Sequence, residues 1–200
     1  MVKKQIGQER GFTMVELMLA VTIGLIVMGM AMGGVSGMIK SSRADGGLAT
    51  AASGLRAARE MAISSRRNVR VTFGANTIIN TRVEYCTPTA TCTPTTTVVR
   101  TTTLEGRVVF RPPTGITPDT DDAFGKTATD GINLGSLVPV MFTTDGSFVN
   151  SNGDVLNGTI FLGIATGATN DILSTRAISI FGPTGAMRLW KWDGRAWVEV

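Results

Sequence analysis

The sequence predicts an α+β protein in which a long N-terminal helix, transmembrane in its first part, packs on an antiparallel β-sheet head. Three observations carry this. Leu17 to Ile39 is a charge-free, largely apolar run of 23 residues. Beyond it, Leu48, Ala51, Ala52, Leu55, Ala58, Met61 and Ala62 recur at helical spacing, with Arg56, Arg59 and Glu60 on other faces. After Ser65 the apolar period changes from helical to two and turn signals multiply.

At about 1.5 Å per residue the run is long enough to cross a hydrocarbon core with some tilt. It exceeds the apolar region of an ordinary signal peptide, and no Ala-x-Ala cleavage site follows, so the segment is expected to be kept. Met1 to Gly11 carries Lys3, Lys4 and Arg10 against Glu9, which predicts a cytoplasmic N-terminus. The helix is then expected to continue to about Ser64, loosened at Gly46-Gly47 and open to a bend at Gly33-Gly34. Gly24, Gly29 and Gly37 permit close helix approach.

Glu16 stands out as a carboxylate at the start of an otherwise apolar helix. An ionised group at membrane depth is costly, so it either reaches the headgroups or has a partner and a function.

The strand-like runs are Asn68 to Phe73, Thr77 to Tyr85, Val98 to Thr103, Arg107 to Phe110, Val140 to Phe142, Thr159 to Ile164, Ala177 to Phe181 and Met187 to Trp192. Asn152-Gly153, Pro183-Thr184-Gly185 and Asp193-Gly194 mark turns. Cys86 and Cys92 bracket a Thr/Pro stretch; with no other soft ligand and no Cys-x-x-Cys spacing they are expected to form a local disulfide if the head lies in an oxidising compartment.

Composition removes much enzymology. Histidine is absent and tyrosine occurs once, so His-based metal sites and Ser-His-Asp or Cys-His nucleophile systems are excluded. Neither Ser174 nor Lys126 has a base or nucleophile partner at a motif spacing, so no catalytic residue and no cofactor is assigned. Asp119, Asp121, Asp122 and Asp130 lack the ordered ligand spacing of a calcium loop and read as solvated acids, leaving no metal ligand assigned.

Gly11-Phe12-Thr13-Met14-Val15-Glu16-Leu17, behind a short basic leader and before the apolar run, resembles the processing site of type IV prepilins. The resemblance implies cleavage by prepilin peptidase between Gly11 and Phe12, N-methylation of Phe12 and retention of Glu16. Cleavage would expose a cationic amine on Phe12, and a neighbouring subunit's Glu16 could neutralise it when helices pack into a filament. Major pilins usually carry a proline near the position of Gly33-Gly34; its absence points away from a bulk filament subunit.

Within the superfamily, Leu55-Arg56-Ala57-Ala58-Arg59-Glu60-Met61-Ala62-Ile63, Val69 to Phe73, Val140 to Ser147, Arg176 to Ile180, Gly185 and Met187 to Leu189 resemble the GspH/FimT group of minor pilins and pseudopilins. The organisation implied is a cleaved leader at residues 1–11, a transmembrane and assembly helix at 12–39, its amphipathic continuation at 40–64 and a periplasmic β-rich head at 65–200. The function implied is a non-enzymatic subunit of a type IV pilus or type II secretion pseudopilus, at or near the tip. Its partners would be other major and minor pilins or pseudopilins, the peptidase and the inner membrane.

The alternative is a FimT-like DNA-binding subunit for natural transformation. Residues 40–111 hold eleven Lys/Arg against four acids, and residues 112–200 five against nine. Arg66, Arg67 and Arg70 cluster where helix gives way to strand, as solvated cations or as a surface for an anionic partner. FimT-like DNA binders carry a Gly-Arg-x-Arg motif; here Gly194-Arg195-Ala196-Trp197 departs from it at the second Arg. Arg188, Lys191 and Arg195 interleave with Trp190, Trp192 and Trp197, a pattern suited either to DNA contacts or to a hairpin whose indoles close the core edge.

Overall fold

The computed structural model describes residues 12–84, 95–105, 107–111, 132–133, 140–150, 153–166 and 169–200, with backbone alone at 31–36, 82–84, 95–96, 132–133, 166 and 169–170. The chain divides into two compact units at Ile39/Lys40. Helix α1 spans Met14–Ser65.

In the first unit the helix is apolar on every side. Its described large side chains are all exposed, Leu17, Ile26 and Met30 among them. Among the described residues no helix is long and apolar enough to cross a membrane; the side chains of 31–36, toward the C-terminal end of the expected transmembrane segment, are not among them.

The second unit contains the rest of α1 and twelve strands. These are β1 (Val69–Phe73), β2 (Thr77–Glu84), β3 (Thr95–Thr103), β4 (Val108–Phe110), β5 (Ile132–Asn133), β6 (Val140–Phe142), β7 (Phe148–Asn150), β8 (Gly158–Thr166), β9 (Thr169–Asn170), β10 (Arg176–Phe181), β11 (Ala186–Trp192) and β12 (Trp197–Glu199). They form two antiparallel sheets where the sequence suggested one. The first has the order β3-β2-β1-β6-β7; the second runs β12-β11-β10-β8-β4, with β5 and β9 also on β8.

The second sheet arises because β8 and β10 are apolar on both faces. Ile160, Leu162, Ile178 and Ile180 turn inward to the main core, while Phe161 and Ala177, one residue out of step, join Trp190, Trp192 and Trp197 in a smaller cluster. The helix meets the main core through Ala44, Gly47, Leu48, Ala51, Ala52, Leu55, Ala58 and Ala62, all buried. Small side chains at this helical spacing let strand residues approach closely. A Cβ at Gly47 would lie 2.8 Å from Val108 Cγ1, so the expected loosening at Gly46-Gly47 is absent and the second glycine is instead a packing contact with β4.

One buried cation fastens helix to sheet. Arg176, at the start of β10, is fully buried, and its Nε donates to Asp45 Oδ1 at 2.6 Å. Nη1 donates to the carbonyls of Leu173 and Thr175, and Nη2 to Ser41 Oγ at 3.0 Å. Next to it, Lys40 Nζ pairs with Asp171 Oδ2 at 2.9 Å. The helix ends with Arg66 in the left-handed region (φ 51°), where Arg67 N–H returns to the Ala62 carbonyl.

Because Asp45 stays half-exposed while Arg176 does not, the two partners should not be equivalent. Asp45→Ala strands a buried guanidinium and is expected to cost about 3 kcal/mol, whereas Arg176→Met removes the buried charge and should cost less. Urea unfolding of the two variants in detergent checks the order.

Candidate functional site

The helix start is the site the sequence singles out. Thr13 is the residue before the first helical turn, and its hydroxyl accepts the Glu16 N–H at 3.3 Å. Glu16 Oε2 reaches back to the Thr13 N–H at 3.0 Å and the Thr13 hydroxyl at 2.9 Å. This reciprocal pair is a capping box, written in the Thr-x-x-Glu spacing, and it satisfies backbone donors that the first turn leaves open. The carboxylate therefore has a local partner in the single chain, a role not anticipated from its isolation among apolar residues. Oε1 makes no bond among the described residues.

Phe12 precedes the cap and is 85% exposed. Gly11, on the other side of the expected scissile bond, lies outside the described residues. From Phe12 to Met30 every described side chain is exposed. Apart from Thr13, Glu16 and Thr22 this surface is apolar, and an exposed apolar surface of this extent marks a site of contact with a membrane or with other proteins.

Cys86, Cys92 and the acidic residues from Asp119 to Asp130 lie outside the described residues, and among those described no group of potential metal ligands occurs. Strand alternation puts Arg188 on the face of β11 that carries Trp190 and Trp192, and Lys191 on the opposite face with Met187 and Leu189. Arg195 is exposed in the turn after β11. The three tryptophans are buried: Trp192 and Trp197 meet edge-on with centroids 5.5 Å apart, and Trp190 Nε1 donates to Ser179 Oγ at 2.9 Å. Their rings are core, as the hairpin reading expects, and offer no platform for bases. Ser174 donates its hydroxyl to the Asp171 carbonyl and accepts the Ile164 N–H, so it serves a turn.

Arg59 was not singled out alone, yet two turns converge on it. Its Nε donates to the Gly146 carbonyl at 3.3 Å. Gly185, at φ 63°, lies so close that an added Cβ would meet the Gly146 carbonyl and come 2.9 Å from Arg59 Nε. Beside them is a cleft of about 440 Å³, lined by Arg56, Arg59, Glu60, Ile63, Gly185 and Met187 among others. The turn at Gly146 is held by Asp145, which accepts the Thr143 hydroxyl, the Ser147 N–H and the Ser147 hydroxyl. The Thr143 hydroxyl foremost, then the two Ser147 donors, hold the Asp145 carboxyl below the usual carboxylate range.

The family described as the prokaryotic N-terminal methylation motif matches residues 7–32, which supports a type IV prepilin-like protein. No curated protein and no solved structure matches the chain.

A carboxylate with a depressed folded value stabilises above its unfolded value and loses that contribution as pH falls through the folded one. The Thr143–Ser147 turn should therefore be intact above the ordinary Asp value of about 3.9 and loosen below it. Amide exchange at Ser147 measured against pH should show this, and Asp145→Asn should remove the dependence.

Proposed function

We propose that this chain is a minor pilin or pseudopilin of the GspH/FimT group. Prepilin peptidase removes residues 1–11, Phe12 is N-methylated, and residues 12–39 anchor the protein in the inner membrane with the head in the periplasm. The helix then joins those of other pilins at or near the tip of a type IV pilus or type II secretion pseudopilus. The protein works by assembly, without catalysis.

The observation that carries this reading is the coincidence, within residues 7–32, of the methylation motif with an apolar helix surface exposed on every side. Such a surface is useful to a subunit that passes from lipid to a bundle of like helices, and damaging to one that stays in water. The capping box supports a role for Glu16 in both places. In the single chain Oε2 holds the helix start, and in the assembly Oε1 meets the Phe12 amine of a neighbour. The pairing removes two charges that would each be costly in an apolar bundle and so fixes the axial register. The DNA-uptake alternative draws no support from β11, whose indoles are buried and whose cations face apart.

Two variants separate the cap from the charge. Gln serves a capping box as Glu does, so Glu16→Gln should retain the helix start while losing the register pair. Glu16→Ala should lose both, with about 1 kcal/mol less stability in the first turn. Membrane insertion should survive in each, and incorporation into sheared filaments or pseudopili should fail in each. Normal incorporation of Glu16→Gln would contradict the register role.

A further inference from the structure

Directly after the Lys40–Asp171 pair, a single 3-10 turn, Ile172–Ser174, presents two aliphatic side chains outward. Ile172 is 45% and Leu173 62% exposed, although Ser174, Thr175 and Arg176 beside them are buried. The presentation is rigid. Asp171 Oδ1 accepts the Leu173 N–H at 3.2 Å, Arg176 Nη1 donates to the Leu173 carbonyl at 2.9 Å, and Ser174 Oγ bridges Asp171 and Ile164. The turn between β11 and β12 lies alongside: Trp192 N–H donates to the Thr175 carbonyl, and a methyl placed on Gly194 would touch Leu173 Cδ2 at 3.8 Å.

The charges around these side chains are not balanced in effect. Both acids are engaged, Asp171 by Lys40 and the Leu173 N–H, and Asp193 by the Arg195 and Ala196 N–H groups at 2.7 and 2.8 Å. Arg195 is exposed in the turn, and its guanidinium adds to the backbone N–H groups that hold the Asp193 carboxyl below the usual range, while Lys191 is half-buried; neither cation forms an ion pair within 4 Å among the described residues. Two exposed aliphatic groups next to the turn that carries Arg195 match the boundary of an anionic bilayer, where acyl chains take the former and phosphates meet the cation.

Lys40 is the first charge after the 23-residue run, and its ammonium is bonded to the residue that precedes Ile172. We infer that the Ile172–Leu173 turn, with Lys191 and Arg195, is a lipid contact that rests on anionic phospholipid before assembly. This inference rests on the anchoring of residues 12–39 proposed above. Such a contact would have to break when the protein leaves the bilayer.

The test uses the full chain with Cys86 and Cys92 replaced by Ser, reconstituted at low density in vesicles whose acyl chains carry bromine. An environment-sensitive fluorophore is placed at Leu173→Cys, or at Ile172→Cys as a second position, with Met18→Cys and Val98→Cys as references. The inference predicts that the label at 173 or 172 loses most of its emission in phosphatidylglycerol vesicles and much less in phosphatidylcholine, while Val98→Cys stays bright. Adding Lys191→Glu with Arg195→Glu should restore the emission. A bright label at 173 and 172 beside a quenched Met18→Cys overturns the lipid contact and leaves the anchor standing. Shielding that appears only at high protein density also overturns it, by making a second copy the occupant. A bright Met18→Cys removes the anchor, and this inference with it.

Discussion

Two sheets can close on one helix here because the helix offers them almost no side chain. Ala44, Gly47, Ala51, Ala52, Ala58 and Ala62 are buried, with Leu48 and Leu55 as the bulky exceptions. Strand residues such as Val69, Val71, Phe142, Ile160 and Ile178 fill the space that larger helical residues would occupy. Burial alone does not set which helical residue meets which strand. That is fixed by Arg176, whose buried guanidinium finds carboxylate, hydroxyl and carbonyl acceptors only when Ser41 and Asp45 lie opposite it.

The same helix is built differently in its first part. From Phe12 to Met30 the side chains are mostly large and apolar, all of them exposed, with Glu16 engaged at the cap. An exposed apolar surface with glycines that admit close helix approach suits packing among other helices, whereas the buried stripe of small residues from Ala44 to Ala62 holds the helix to its own sheets. This contrast within one element gives the proposed assembly role a physical basis beyond the motif itself.

Local chemistry made much of this readable from sequence. The helical spacing from Leu48 to Ala62 and the period-two runs gave elements close to those observed, and the Asp193-Gly194 turn and the tryptophan-filled hairpin edge followed from residue type. The capping box was legible in Thr-x-x-Glu, although the spacing drew attention to charge first. What stayed hidden is non-local. Nothing near Arg176 announces that its partner lies 131 residues earlier. Nor does any strand state that β1 will pair with β6 instead of joining β10, so a single sheet was the simpler expectation. Arg188 and Lys191 looked adjacent because they are close in sequence, yet an odd separation in a strand sends them to opposite faces.

On the proposed processing, the working chain begins at Phe12, two residues before α1. Mass spectrometry of the polypeptide extracted from the membranes of cells that express a prepilin peptidase tests it most directly. Cleavage after Gly11 with N-methylation predicts an N-terminal peptide starting at Phe12 and heavier by one methyl group. A chain that retains Met1 to Gly11, or begins at any other residue, would contradict it.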